Sequence, residues 1–349
     1  MIRLAILAEG GFAEHDAKTA TGVLRYGSQE VVAVIDSTRA GTRVRDHVPG
    51  LESDVPVVES IDQALALRPD VLLIGIAPAG GRLPERWRRI VLRAIEAGLA
   101  IESGLHDFLG DDPELAAAAQ RAGVEIRDLR RPPAGLDVPT GANLRVDGHI
   151  VLTVGTDCAL GKMTVCLELD AEARRRGLAS GFVPTGQTGI AIAGWGIAVD
   201  EVVSDFVAGA TERLVLEGAE RAGPGALLWI EGQGSISHPA YSGVTLGLLH
   251  GSAANALILV HEPGRTHLDM PDGPPIPPLS QLIDDYQRMA RYVRPAKVVA
   301  VSLKTNRLSE PQARAAIAAA EQETGLPADD PVRYGAAKLV DCVLAARLI

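Results

Sequence analysis

An apolar run, Ile150-Val151-Leu152-Thr153-Val154, leads directly into Gly155-Thr156-Asp157-Cys158-Ala159-Leu160-Gly161-Lys162. Few chain geometries accommodate that succession. The β-branched stretch Val151 to Val154 suits a buried parallel strand, and Lys162 to Arg176 carries helix formers that end in a basic turn before Gly177. Strand, glycine loop and helix in this order aim a helix N-terminus at an anion. A plain βα turn would use the glycines, but turn geometry gives no reason for a lysine directly after the second one. In the usual pattern G-x-x-x-x-G-K-[ST], backbone amides wrap a phosphate, the lysine reaches the outer phosphates and the hydroxyl holds Mg²⁺. Here Gly155 stands one residue early, Met163 takes the hydroxyl's place and Thr164 follows one residue late. Successive helical residues are rotated by about 100°, so Thr164 inherits the metal role only if the loop is shifted. The pattern supports phosphate binding ahead of Mg²⁺-dependent phosphoryl transfer.

Strand-like and helix-like runs alternate along the chain, the signature of α/β layers. The first part offers strands at Arg3 to Ala8, Val31 to Ile35, Val71 to Ile76, Ala100 to Glu102 and Val124 to Asp128, with helices such as Leu83 to Ala97 and Pro113 to Ala122. This reads as a Rossmann-like, doubly wound domain. It lacks G-x-G-x-x-G after its first strand, where Glu9-Gly10-Gly11-Phe12 stands, which argues against nicotinamide binding. Asp36, closing the second strand, suits either a ribose or a cap, and the cap is preferred. Arg130-Arg131-Pro132-Pro133-Ala134-Gly135 marks a linker. The expected division is therefore 1–135, Rossmann-like, and 136–349, a P-loop α/β domain. Further strands are expected at Ser180 to Pro184, Ala226 to Glu231, Ala256 to His261 and Lys297 to Leu303, and closing helices at Glu310 to Thr324 and Gly335 to Leu348.

Composition narrows the function classes. With 47% hydrophobic and 22% charged residues the 349-residue chain has ample core for two domains. The net charge of −10, without a basic stripe, argues against nucleic acid as a partner. Arg86-Trp87-Arg88-Arg89 and Arg174-Arg175-Arg176 read as solvated helix faces. Cys158, Cys166 and Cys342 show neither metal-ligand spacing nor a disulfide framework, which fits a reduced cytoplasm. No stretch approaches the roughly 18 apolar residues of a membrane span. A small-molecule enzyme, assembled as a homo-oligomer, is the expectation.

Ligands of open α/β sheets sit beyond the carboxyl ends of the strands. Four loops of the second domain occupy such positions: Thr185-Gly186-Gln187-Thr188-Gly189, Glu231-Gly232-Gln233-Gly234-Ser235, His261 to His267, and Lys304-Thr305-Asn306-Arg307. Glu231 stands where P-loop proteins place the acid that holds Mg²⁺ or orients water; a base for an amine nucleophile and a simple cap are its other readings. His238 is the acid/base histidine favoured by position, or a hydrogen-bonded loop residue. Arg265 and His267 suit a carboxylate clamp or a surface ion pair. Asp200 and Asp205 suit an amino group, or a cap and a solvated face. Cys158, at a helix N-terminus that favours a thiolate, is read as a small packed residue rather than an acylated nucleophile.

The loop Gly155 to Lys162, with Glu231-Gly232-Gln233-Gly234 after a later strand, resembles the motifs of dethiobiotin synthetase, an ATP- and Mg²⁺-dependent family that places threonine directly after the lysine, where this chain has Met163. Over its full length the chain resembles the two-domain D-glutamate N-acetyltransferase family, long described as a domain of unknown function. The residues that carry this are Gly155 to Thr164, Thr185 to Gly189, Gly194-Trp195-Gly196 with Asp200 and Asp205, Glu231 to Pro239, and Leu303 to Asn306. The resemblance implies acetyl transfer from acetyl-CoA to the amine of an acidic D-amino acid, D-glutamate. It makes the loop a holder of CoA phosphates through Gly155, Thr156, Asp157, Cys158, Ala159, Gly161, Lys162, Met163 and Thr164, with Gln187 and Asn306 beside it. The expected base is Glu231 or His238. Lys162 or loop amides serve as oxyanion donors, Arg265 and Lys304 as carboxylate cradle, and Asp200 and Asp205 as further substrate contacts. No metal ligand set is assigned. The alternative is an ATP- and Mg²⁺-dependent ligase or kinase.

Overall fold

Runs of Val, Ile, Leu and Ala with little polar interruption form strands buried on both faces, and parallel sheets result. The structure, a computed structural model, describes residues 2–14, 17–76, 78 and 80–346. The chain divides into two compact units, Met1–Pro132 with Gln187–Ala198, and Pro133–Gly186 with Val199–Ile349.

In the first unit the strands β1 (Arg3–Leu7), β2 (Glu30–Ile35), β3 (Val57–Val58), β4 (Val71–Ile74), β5 (Ala100–Ser103) and β6 (Ile126–Asp128) pair in the order β3-β2-β1-β4-β5-β6. Every pairing is parallel. The helices are α1 (Lys18–Tyr26), α2 (Ile61–Leu65), α3 (Glu85–Glu96) and α4 (Pro113–Ala122). This is the doubly wound order the alternation implied. Asp36, fully buried at the end of β2, accepts from the amides of Gly10, Phe12 and Thr38 and from the Thr38 hydroxyl. It is the cap, and its carboxylate is committed to closing the β1 loop.

In the second unit β7 (His149–Gly155), β8 (Ser180–Val183), β9 (Leu227–Ile230), β10 (Ala256–His261), β11 (Lys297–Leu303) and β12 (Ala328–Asp329) pair in the order β12-β11-β10-β7-β9-β8, again all parallel. The phosphate-loop strand β7 is central, between β10 and β9. Ile150, Val151, Leu152 and Val154 are each at most 2% exposed, and burial of such side chains is worth roughly 2 kcal/mol apiece. Helix α5 (Lys162–Arg175) follows the loop. After β8 the chain enters α6 (Gln187–Ala193), which belongs to the first unit: Thr188 bonds Thr19 through their hydroxyls at 2.8 Å, and Gln29 Nε2 donates to Ala191 O at 3.0 Å. A single cut near residue 135 does not describe this excursion. Helices α7 (Val207–Ala222), α8 (Ser242–Ser252), α9 (Leu279–Ala290), α10 (Glu310–Thr324), α11 (Pro331–Tyr334) and α12 (Ala337–Ala345) complete the unit. The closing helix expected from Gly335 begins at Ala337, because Gly335 holds φ +85°; its expected end at Leu348 lies outside the described residues. Among the described residues no helix is long and apolar enough to cross a membrane.

Candidate active site

Parallel strands place their following loops at one edge of the sheet, and the loops after β7, β9 and β10 meet there through named contacts. Helix α5 opens on Gly161 in the left-handed region, φ +91°, with no side-chain cap and no acid in its first turn. First-turn amides have no intrahelical acceptors, and with the helix dipole this end carries partial positive charge. Lys162 is buried and folds back across the loop, where Nζ donates to Asp157 O and Gly234 O, both at 2.8 Å. Tyr286 of α9 ties the same two segments together: its hydroxyl donates to Gly155 O at 2.7 Å and accepts from the Ile236 amide at 3.2 Å.

Glu231 leaves the end of β9 at 8% exposure. Its Oε2 accepts from the amides of Thr185 at 3.0 Å and Gly186 at 3.3 Å, while Thr185 Oγ1 donates to Glu231 O. Burial pushes its carboxyl up to about 7, against the pull of those amides; Asp200 raises it further and Lys162 lowers it. Two glycines after it are sterically required. A Cβ on Gly232 would overlap the Thr153 carbonyl oxygen, and a Cβ on Gly234, φ +60°, would stand 2.6 Å from Tyr241 Cβ.

An ion-pair chain runs beside the loop. Asp157, fully buried, accepts from the Cys158 amide through Oδ1 and from Arg265 and the Asp269 amide through Oδ2. Burial alone would raise this carboxyl, but those donors together hold it below the usual carboxylate range. Arg265 also forks onto Glu262, and Lys304 Nζ lies 3.3 Å from Glu262 Oε1. The two expected cradle cations are thus brought together, with their charges already matched by Asp157 and Glu262. Arg265 is 18% exposed and Lys304 30%, so the lysine is the more accessible.

The remaining expected residues are scattered. Asp200, exposed, reaches Glu231 electrostatically. Asp205 is exposed in the turn Ser204–Phe206, and Asn306 is exposed after β11. Gln187 opens α6, and a Cβ on Gly104 of the first unit would stand 2.9 Å from its Cγ. Thr156 is fully buried and bonds His261 Nδ1 at 3.0 Å, so its hydroxyl serves the loop's own frame. Sequence reasoning missed Tyr286, and it placed Thr185 and Glu262 in site loops without giving either a role. Tyr286 lies on an apolar helix face and gives no motif; Glu262 and Thr185 adjoin strand ends, where an ion partner for Arg265 and a donor to Glu231 were there to be sought.

His238, 2% exposed, stacks on Tyr241 with ring centroids 4.5 Å apart. One ring nitrogen of His238, the Cys158 sulfur and a carboxylate oxygen of Asp157 all lie within 4.8 Å of one another. Burial, then the charges of Asp157 and Asp269, push the Cys158 thiol up, so it stays protonated. The helix N-terminus does not outweigh that burial and those charges.

Comparison with known proteins agrees with this layout. Residues 137–340 match the family described as "Domain of unknown function (DUF1611_C) P-loop domain", and residues 37–132 match "Domain of unknown function (DUF1611_N) Rossmann-like domain". A protein named D-glutamate N-acetyltransferase from Tritonibacter scottomollicae is 41% identical over 303 residues, 85% of this chain and 88% of its own length. Another of that name from Pseudoalteromonas sp. is 37% identical over 284 residues, 80% and 83%. The crystal structure of a DUF1611 family protein from Anabaena variabilis ATCC 29413 superposes with a TM-score of 0.92 at 42% identity, covering 99% of this chain and all of that one.

Proposed function

Because the chain belongs to the DUF1611 family, carrying both its Rossmann-like and its P-loop domain, we propose that it transfers the acetyl group of acetyl-CoA to the amine of D-glutamate. The relatives of that name support the reaction. The observation that carries it is Glu231: a buried carboxyl with its pKa near 7, fixed by two amides beside an anion-ready helix end. A base poised near the working pH suits removal of a proton from an ammonium.

Acetyl-CoA brings an activated acyl group and a chain of phosphates. The uncapped first turn of α5 and the Lys162 ammonium fit those phosphates without a metal. Glu231 takes a proton from the substrate ammonium, with Asp200 adding to the negative field that holds the amine. That proton leaves to solvent; nitrogen then bonds the acetyl carbon and gives Glu231 a second proton, which passes to the departing sulfur as the carbon–sulfur bond breaks. Lys304 is the accessible cation for a substrate carboxylate, and Arg265 holds the loop through Asp157 and Glu262. The test is release of CoA thiol from acetyl-CoA on addition of D-glutamate. Turnover of ATP without D-glutamate-dependent thiol release would end this reading.

A further inference from the structure

His238 is held from two sides. Tyr241 stacks on its ring, and Nδ1 accepts the Ala240 amide at 3.2 Å. A backbone amide can only donate, so Nδ1 presents its lone pair and the neutral ring carries its proton on Nε2. That nitrogen is buried and has no hydrogen-bond partner. Buried polar groups in native folds are nearly always paired, because an unpaired one loses its hydration without compensation. The ring lies against Cys158 and Asp157 at the start of the phosphate loop. Lys162, bonded to Asp157 O and Gly234 O, acts electrostatically on both Cys158 and Glu231. The orphaned donor therefore belongs to the same loop cluster as the base.

We infer that His238 is a catalytic hydrogen-bond donor whose Nε2–H binds the acyl carbonyl oxygen and holds the negative charge that oxygen gains as the amine adds. The inference rests on the acetyl-transfer reading above. The substrate ammonium first gives one proton through Glu231 to solvent; as the nitrogen–carbon bond forms, Glu231 receives a second proton from that nitrogen and the carbonyl electron pair moves onto the oxygen facing His238. When that pair returns, the carbon–sulfur bond breaks and Glu231 gives its proton to the sulfur, so no further reactant is needed.

The same hydrogen bond argues against three other roles. As a base, Nε2 has no free lone pair in this tautomer, and protonation at Nδ1 would break the Ala240 bond. As a metal ligand, Nε2 would need the proton moved to Nδ1, while the Asp157 oxygens already take two amides and Arg265. As partner of a nucleophilic Cys158, the ring would have to accept the thiol proton, which it cannot do while Nδ1 serves Ala240.

Nitrogen-15 NMR of the intact protein labelled at histidine reads the tautomer directly, and Nε2–H is expected. Replacing His238→Ala should lower kcat about 10²–10³-fold, the usual effect of removing an oxyanion donor. His238→Gln, which keeps an N–H and does not titrate, should restore kcat to within about tenfold of wild type and leave the acidic limb of the pH profile in place. Acetyl-CoA alone should leave no acetyl group on Cys158 by intact-mass analysis. Wild-type protein that releases no thiol with acetyl-CoA and D-glutamate overturns the acetyl-transfer reading and this one together. An active wild type with an Nδ1–H tautomer, with His238→Gln as slow as His238→Ala, or with an acetylated Cys158 overturns the His238 assignment alone.

Discussion

At the scale of the residue, Glu231 sets up a conflict between stability and activity. Its folded-state value near 7 lies above the ordinary 4.5, so the native state binds this proton more tightly than the unfolded chain does. The resulting contribution is complete below about pH 4.5 and is lost as pH rises through about 7. Glu231→Gln, which keeps an acceptor for the Thr185 and Gly186 amides, should therefore raise stability at pH 8 by up to about 3 kcal/mol. The gain should vanish at pH 4, as read by denaturant titration at the two pH values. The same variant should lose acetyl transfer by about 10²-fold or more, and the wild-type kcat/KM should rise through a limb near pH 7. An unchanged rate would remove Glu231 as base. Gly232 offers a purely steric test: Gly232→Ala forces a Cβ into the Thr153 carbonyl and should destabilise by more than about 3 kcal/mol. A melting temperature equal to wild type would contradict that packing.

At the scale of the element, the loop joining β7 to α5 holds its own cation, Lys162, through the carbonyls of Asp157 and Gly234. A phosphate bound there, as proposed above, would draw Lys162 from Asp157 O and Gly234 O or share it with them. Lys162→Ala should weaken CoA binding at least tenfold, about 1.4 kcal/mol, in calorimetry; unchanged affinity would take the loop out of the reaction. Met163 at the usual hydroxyl position leads to a second expectation. EDTA should leave acetyl transfer largely intact, and complete loss restored by Mg²⁺ would favour the ATP-dependent alternative. The strand–loop–helix was legible because its period, glycines and lysine are all local. Edge strands β3 and β12 were not, since two residues each carry no periodic signal. Nor was the commitment of Arg265: its partners Asp157 and Glu262 come from two different strand ends.

At the scale of the whole molecule, the order of the two units is written in sequence and the membership of α6 is not. Twelve residues, Gln187–Ala198, leave the second unit to complete the first. Arg127 reaches Gly194 O at 2.9 Å there, alongside the Thr19–Thr188 and Gln29–Ala191 bonds. A fragment of residues 1–132 should accordingly fold less stably than one carrying a linked copy of residues 187–198. Urea titration of the two fragments compares them, and equal midpoints would show that α6 adds nothing to the first unit.

The sequence by itself determined the α/β class, the buried strand β7 and the glycine loop and helix that follow it. Strand periodicity, backbone conformation at glycine and helix polarity act over a few neighbouring residues, and any chain with that local order has them. Only the tertiary structure decided what each ionisable group does. Burial against β8 turned Glu231 into a group that titrates near neutrality, and pairing absorbed Arg265. One amide, Ala240, fixed the tautomer of His238. Charge and protonation depend on what surrounds a side chain in three dimensions, and residues far apart in sequence supply most of those surroundings.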